Sequence, residues 1–177
     1  MGELAVPRTP LDHRRGPDEA PVVLVAYADF QCPHCAHADG MLRALLDRFG
    51  GRLQVIHRHF PLTDVHPHAQ LAAEAAEAAA AQGKFWPMHD RLYAAQDRLG
   101  ERDLLRHAAE LDLDVDLFGA HLVQRVFAAR VRADWLNGQR SGVRGTPTLF
   151  VNDRRVEGVR GRDALAEVIR AAMSARG

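Results

Sequence analysis

The sequence predicts an α/β fold in which helices flank a mixed central sheet and an all-helical subdomain is inserted. Three observations favour this fold. The apolar run from Val22 to Tyr27 is typical of a parallel strand that is covered on both faces. A helical pattern follows it directly. Helical patterns then fill residues 66–141, before a late hairpin and a last helix.

The first part of the chain predicts an arm, a strand, a helix and a second strand. Residues 1–20 are polar and broken by prolines, which indicates an N-terminal arm with one short edge strand. We expect the first helix to run from Cys32 to Phe49, where two glycines end it. The next strand covers Leu53 to Phe60. A connection of this length makes the two strands parallel.

The middle of the chain predicts a block of helices. Two of them cover residues 70–82 and 85–96. Asp103 and Asp114 can each cap a shorter helix. A final helix of the block carries Val126, Phe127 and Val131.

The end of the chain predicts a hairpin and a last helix. The hairpin strands are Thr148 to Val151 and Arg154 to Glu157. An amphipathic helix from Asp163 to Met173 follows. The predicted domain organisation is therefore an arm at 1–20, a sheet domain formed by 21–63 and 142–177, and a helical insertion at 64–141.

Composition limits the possible partners. The 177 residues fit one ordinary domain with an insertion. The chain carries 23 basic and 23 acidic residues, so we expect no nucleic-acid partner and no membrane association. No apolar run approaches the about 18 residues of a membrane span. We expect a monomer.

The two cysteines, Cys32 and Cys35, lie three apart where the strand passes into the helix. On a helix, such positions are about 5–6 Å apart, which suits disulfide geometry. A helix start favours an anion, and the thiolate is the reactive form of cysteine. We therefore predict that Cys32 is the exposed attacking sulfur and Cys35 the resolving one.

The two residues between the cysteines fit the same chemistry. Pro33 suits the first helical position, where an N–H would be unpaired anyway. His34 can place an imidazolium beside the sulfur. That charge would stabilise the reduced thiolate form and make the disulfide a stronger oxidant.

The stretch Asp29-Phe30-Gln31-Cys32-Pro33-His34-Cys35 resembles the active site of the bacterial DsbA-like thiol–disulfide oxidoreductases, a branch of the thioredoxin superfamily. The stretch Gly145-Thr146-Pro147-Thr148 resembles the loop that carries the superfamily's cis-proline. Residues 66–69 and 84–90 resemble the family's inserted helical region. The resemblance covers the chain from about residue 12 to its end, and it implies a thioredoxin fold with a helical insertion.

This resemblance implies an enzyme that exchanges disulfides with protein or peptide substrates through a mixed disulfide at Cys32. The Pro-His pair favours oxidation of dithiols, a redox partner is expected, and no organic cofactor or metal is needed. The resemblance also implies a cis Thr146–Pro147 bond packed against Cys32, with the Thr146 backbone pairing with an extended peptide. The sequence alone would favour trans, because only about 5–6% of X-Pro bonds are cis.

Three other hypotheses stay open. One is a cytosolic disulfide reductase or isomerase on the same fold. Another is a metal-binding or chaperone-like module, although a structural zinc site at the cysteines normally has four ligands and only histidines such as His34 and His37, which flank the pair, could complete it. A separate set of histidines also suggests a metal cluster, but we expect packing or surface roles for them: His57, His59, His66 and His68. The third is a glutathione-conjugating relative, against which the presence of Cys35 argues.

The N-terminus shows no signal-peptide pattern. As it stands, the sequence therefore predicts a cytoplasmic protein, in which a disulfide would be catalytic rather than structural. A trimmed mature form would instead be periplasmic or otherwise extracytoplasmic.

Overall fold

The computed structural model describes residues 2–157 and 161–175. Its sheet contains strands β1 (His13–Arg15), β2 (Val22–Ala28), β3 (Leu53–His59), β4 (Thr148–Val151) and β5 (Arg154–Arg155), in the order β1-β3-β2-β4-β5. Strands β2 and β3 pair in parallel, and the other neighbours pair antiparallel. The predicted mixed central sheet is confirmed.

The helices are α1 (Pro33–Phe49), α2 (Ala69–Ala80), α3 (Phe85–Ala94), α4 (Glu101–Glu110), α5 (Val115–Val123), α6 (Ala128–Arg140) and α7 (Arg162–Ser174). Helices α2 to α6 lie between β3 and β4 in the chain, as the predicted insertion requires. In the described part of the chain, no helix is both long and apolar enough to cross a membrane.

Strand β2 is apolar throughout because both of its faces are covered. Val22 and Leu24 point towards α1 and α7, and pack with Leu45 and Ile169 of those helices. The alternate side chains of the strand, Val23, Val25 and Tyr27, face a second cluster on the opposite side of the sheet. A third cluster holds the core of the insertion together with Phe30, Cys32 and Cys35. The end of β2 and the start of α1 are therefore packed against the insertion.

The N-terminal arm is docked on the sheet. Its strand β1 pairs with β3 along the sheet edge, which is the short edge strand that the sequence predicts. Arg58 of β3 holds the arm against the sheet. Its guanidinium donates to both carboxylate oxygens of Asp12, at 2.9 and 3.1 Å, and to the carbonyls of Val6 and Pro7.

Several element boundaries differ from the prediction. Helix α4 begins at Glu101 after Gly100, so Asp103 lies in the first turn and is not the cap. The predicted cap of α5 is correct, because Asp114 Oδ1 accepts from the Leu117 N–H at 2.9 Å. The second hairpin strand is also shorter than predicted, and comprises only Arg154 and Arg155.

The start of α6 also differs from the prediction. Val126 and Phe127 precede the helix, which begins at Ala128. Arg125 adopts a left-handed conformation, with φ of 54°, and turns the chain after α5. Val126 is consequently 48% exposed and does not contribute to the core.

Candidate functional site

The cysteine pair lies where β2 passes into α1. Cys32 has extended backbone angles and immediately precedes the helix, and Pro33 is its first residue. The backbone N–H groups of Cys35 and Ala36 donate to the Cys32 carbonyl, at 3.0 and 3.2 Å. The first turn of α1 therefore places both sulfurs at the helix N-terminus, as the sequence predicts.

Both cysteines are free thiols, and both are buried. Cys32 is 4% exposed and Cys35 is 1% exposed. The Cys32 sulfur lies 3.6 Å from the Thr146 carbonyl oxygen, and the Asp29 N–H donates to the Cys35 sulfur at 3.4 Å. The expectation that the Cys32 sulfur is exposed is thus wrong. The Thr146 loop and the core of the insertion cover this sulfur, and neither is apparent from the local sequence.

The two thiols have opposite pKa shifts. A hydrogen bond from the Cys35 thiol, aided by the backbone N–H groups of Cys35 and His34, lowers the pKa of Cys32 to about 5 although burial opposes this. The same bond to Cys32, together with burial, raises the pKa of Cys35 far above its usual range. Cys32 is therefore a thiolate at neutral pH, and Cys35 holds the proton.

Pro33 and His34 form the exposed outer turn of the site. The stabilising contact of His34 with the Cys32 sulfur is made by its backbone N–H. The imidazole itself faces solvent. Its predicted electrostatic role stays a prediction.

The Thr146–Pro147 loop lies against the cysteine pair from the other side. The peptide bond between these residues is cis, which is the isomer that the resemblance implies. Thr148 Oγ1 donates to the Gly145 carbonyl at 2.7 Å and fixes the turn before β4. The tertiary structure thus brings Cys32, Cys35, Thr146 and Pro147 together.

Side chains that the sequence analysis did not assign to the site hold the loop before Cys32. Gln96 lies just after the end of α3, and its Nε2 donates to the carbonyls of Phe30 and Cys32, at 2.7 and 2.9 Å. Gln31 Oε1 accepts from the His68 N–H at 2.7 Å. No sequence signal marks Gln96, because its partners are backbone atoms more than 60 residues away.

Asp29 is a third anchor of this loop. Its Oδ2 accepts from the Leu62 N–H at 2.9 Å and lies 2.8 Å from His66 Nδ1. Its Oδ1 accepts from the Gln31 N–H at 2.7 Å. These contacts explain why the strand end and the insertion meet beside Cys35.

The four histidines that suggested a metal cluster do not form one. His66 contacts Asp29, and His68 is exposed. His57 and His59 are buried: His57 Nε2 lies 3.3 Å from His59 Nδ1, and His59 Nε2 lies 2.8 Å from Glu77 Oε1.

The mixed sheet, the helical insertion and the dithiol at the start of α1 define the class of thioredoxin-fold proteins. A family profile described as thioredoxin matches residues 8–171. The chain therefore belongs to the thioredoxin family.

Solved structures of the same fold include oxidised BdbD from Bacillus subtilis, with a TM-score of 0.82 and 22% identity over 91% of this chain and 92% of that one. A thioredoxin-like oxidoreductase from Silicibacter pomeroyi has a TM-score of 0.83 and 26% identity, over 94% of each chain. Wolbachia pipientis alpha-DsbA1 has a TM-score of 0.81 and 21% identity, over 97% of this chain and 95% of that one.

Curated relatives are more similar in sequence but much longer. The Na(+)/H(+) antiporter NhaA 3 of Salinispora tropica is 51% identical over 97% of this chain, which matches 26% of the relative. The NhaA 1 antiporter of Salinispora arenicola is 50% identical with the same coverage. The chain thus spans about a quarter of the length of these relatives. Their names describe whole proteins, and most of the length of those proteins lies outside the matched region.

Proposed function

We propose that this protein oxidises dithiols in protein or peptide substrates through a mixed disulfide at Cys32. The observation that carries this proposal is the opposite protonation of the two thiols, since the pKa of Cys32 is lowered to about 5 and that of Cys35 is raised. The Cys32 sulfur is thus suited to be attacked and to act as a leaving group, and the Cys35 sulfur is suited to hold a proton.

The reaction consists of two exchanges. A substrate thiolate attacks the Cys32 sulfur of the oxidised protein, the Cys32–Cys35 bond breaks, and Cys35 leaves and takes up a proton. A second substrate thiolate then attacks the substrate sulfur of the mixed disulfide. The substrate is released with a disulfide, and Cys32 leaves as the thiolate.

The low pKa of Cys32 favours the oxidising direction. A low-pKa thiol leaves faster, and stabilising the thiolate stabilises the reduced protein, which makes the disulfide a stronger oxidant. An oxidant of this kind fits an oxidising compartment better than a cytosol buffered by glutathione. We therefore favour the extracytoplasmic alternative, with a separate redox partner that reoxidises the monomeric protein.

Substrates would bind beside the Thr146–Pro147 loop. An extended peptide can pair with the Thr146 backbone by strand addition while its cysteine meets Cys32. A cleft of about 190 Å³ adjoins Pro147 and Met41, and a wider one of about 670 Å³ continues along His37 and Gly40 of α1. These open surfaces suit an unfolded peptide segment.

The experiment that tests this function is the equilibrium of the Cys32–Cys35 disulfide with glutathione. A reduction potential of about −120 to −180 mV would support oxidation, whereas a value near about −270 mV would show a reductase. In the Cys35→Ser variant, the Cys32 thiolate should attack a disulfide-bonded peptide and, because the thiol that releases Cys32 is missing, accumulate as a mixed disulfide seen by mass spectrometry. The Cys32→Ser variant is the control and should form none.

A further inference from the structure

A second polar cluster lies apart from the cysteine pair, where β1, β3 and α2 meet. His13 Nε2 and His59 Nε2 each lie 2.8 Å from the same oxygen, Oε1 of Glu77. The side chains of His13, His59 and Glu77 are only 16%, 1% and 7% exposed. Three atoms of the kinds that ligate metals thus converge on one buried point, within 4.8 Å of one another.

The imidazole rings are held in this orientation by their neighbours. His13 stacks on Phe85 with a centroid distance of 3.5 Å and an interplanar angle of 4°. The other nitrogen of His59, Nδ1, lies 3.3 Å from His57 Nε2. Both rings therefore present Nε2 to the carboxylate without needing to rotate.

The charges at this point favour a cation. Two imidazole nitrogens contact the Glu77 carboxylate, whose side chain is only 7% exposed. Arg130 Nε lies 3.8 Å from Glu77 Oε1, but the same guanidinium also pairs with buried Asp134. One guanidinium thus faces two carboxylates.

The other cluster of this kind, formed by Asp39, His89 and Asp90, also has ligand atoms within 4.8 Å of one another, but its contacts are arranged differently. Asp39 lies 3.7 Å from His89 Nε2, whereas Asp90 lies 2.9 Å from His89 Nδ1. The two carboxylates meet different nitrogens of one ring. A single ion cannot replace both contacts.

We propose that His13, His59 and Glu77 bind one Zn²⁺ ion, with water as the fourth ligand. Two imidazole nitrogens and one carboxylate are a ligand set that zinc accepts, at about 2.0–2.2 Å from the metal. The three ligand atoms must move apart by a few tenths of an ångström from their hydrogen-bonded spacing to reach tetrahedral geometry. This site is independent of the dithiol and goes beyond the exchange reaction.

Zinc binding requires a change of tautomer and no net loss of protons from neutral imidazoles. Each histidine must offer the lone pair of Nε2 and carry its proton on Nδ1. The Nδ1–H of His59 then donates to His57 Nε2, which lies 3.3 Å away. Such a second partner on the outer nitrogen is usual for zinc-bound histidines.

The ion would join three parts of the fold. His13 belongs to the three-residue edge strand β1, His59 ends β3, and Glu77 lies on α2 of the insertion. The edge position of His13 gives the ion a route to the site. Binding to the folded state alone would stabilise the arm against the sheet and the insertion.

The test is calorimetric titration of the full chain with Zn²⁺, in a Cys32→Ser/Cys35→Ser background that excludes thiolate ligands. We expect one equivalent to bind and the thermal midpoint to rise on binding. The Glu77→Gln variant keeps an oxygen acceptor for both histidines, and His13→Gln lies at the partly exposed edge. Each should bind Zn²⁺ at least about 100-fold more weakly, since even indirect partners of a metal contribute about 10–100-fold. The exposed His68→Gln variant is the matched control and should bind normally.

Cobalt substitution provides a second measurement. Co²⁺ should give the d–d absorption of a four-coordinate site, and this should disappear in Glu77→Gln. The proposal is overturned if the unsubstituted chain and the double cysteine variant bind no Zn²⁺, or if Glu77→Gln and His13→Gln bind it as well as His68→Gln does. Either result leaves the exchange function of Cys32 unaffected.

Discussion

The chemistry of the site depends on one hydrogen bond between two residues. Cys35 stabilises the Cys32 thiolate more than any other group does. We therefore predict that Cys35→Ala raises the pKa of Cys32 above about 5, whereas Cys35→Ser, which keeps a hydroxyl donor, raises it less. The absorbance of the thiolate near 240 nm as a function of pH measures this. Equal pKa values in both variants would show that the donor does not matter.

The His34 imidazole should act on the Cys32 sulfur at longer range than the His34 backbone N–H does. Its imidazole is exposed, so its charge acts through solvent and is screened by salt. We expect His34→Ser to raise the pKa of Cys32 and make the disulfide less oxidising, with a smaller effect at 1 M salt. His68→Ser is the control. An unchanged reduction potential would remove the His34 side chain from the mechanism.

At the scale of the elements, α6 approaches the sheet closely only because it carries Gly138. A Cβ atom there would lie 2.6 Å from Phe60 Cδ2 and 3.0 Å from Tyr27 Cδ1. Both rings are buried, so neither can move freely. Gly138→Ala should lower the free energy of unfolding by about 1–3 kcal/mol, measured by urea denaturation.

Gly40 of α1 is the matched control for this substitution. A Cβ atom there would meet nothing within 4 Å. Gly40→Ala should raise the free energy of unfolding by about 0.5–1 kcal/mol, because alanine is the better helix former. Equal effects of the two substitutions would contradict the close packing of α6.

The arm is held to the sheet by the buried Arg58–Asp12 pair, whose side chains are 1% and 3% exposed. Arg58→Met leaves the Asp12 carboxylate buried without its partner, and should cost about 3–5 kcal/mol. Urea denaturation measures the loss, and limited proteolysis should show earlier cleavage within residues 2–12. Arg106→Met removes an exposed pair with Asp103 and should cost at most about 1 kcal/mol. Comparable losses of unfolding free energy in the two variants would show that the buried Arg58–Asp12 pair contributes no more to stability than the exposed Arg106–Asp103 pair.

At the scale of the whole molecule, the pKa of Cys32 links stability to pH. This pKa is about 5 in the folded dithiol form, below the about 8.5 of an unfolded cysteine. Between these values the unfolded chain binds more protons, so the stability of the reduced protein increases as pH rises from about 5 to 8.5 and is lost as pH falls through 5. Cys35, with its raised pKa, opposes stability only above about pH 8.5.

Urea denaturation of the reduced protein at pH 5, 6, 7 and 8 tests this linkage. The unsubstituted chain should gain stability over this range relative to Cys32→Ser, which removes the titrating group. The comparison cancels the buried histidines, which both proteins share. Parallel pH profiles would show that the pKa of Cys32 is the same in the folded and unfolded chain.

The sequence by itself determined the fold class and the reactive pair, because both follow from local patterns. A strand covered on two faces must be apolar at every position, as β2 is. A cysteine before a helix and another three residues later must share one helix face. The helix cap at Asp114 was likewise predictable from the sequence, since its partner, the Leu117 N–H, is only three residues away.

Only the tertiary structure decided how the pair is covered and what surrounds it. Thr146 lies 114 residues from Cys32, and Gln96 lies 64 residues from the carbonyl it binds. Similarly, Glu77 meets His13 across 64 residues. Chain folding alone brings such groups together, and no local spacing encodes them. The burial of Cys32 and the histidine–glutamate cluster therefore emerged from the packing of the arm, the sheet and the insertion.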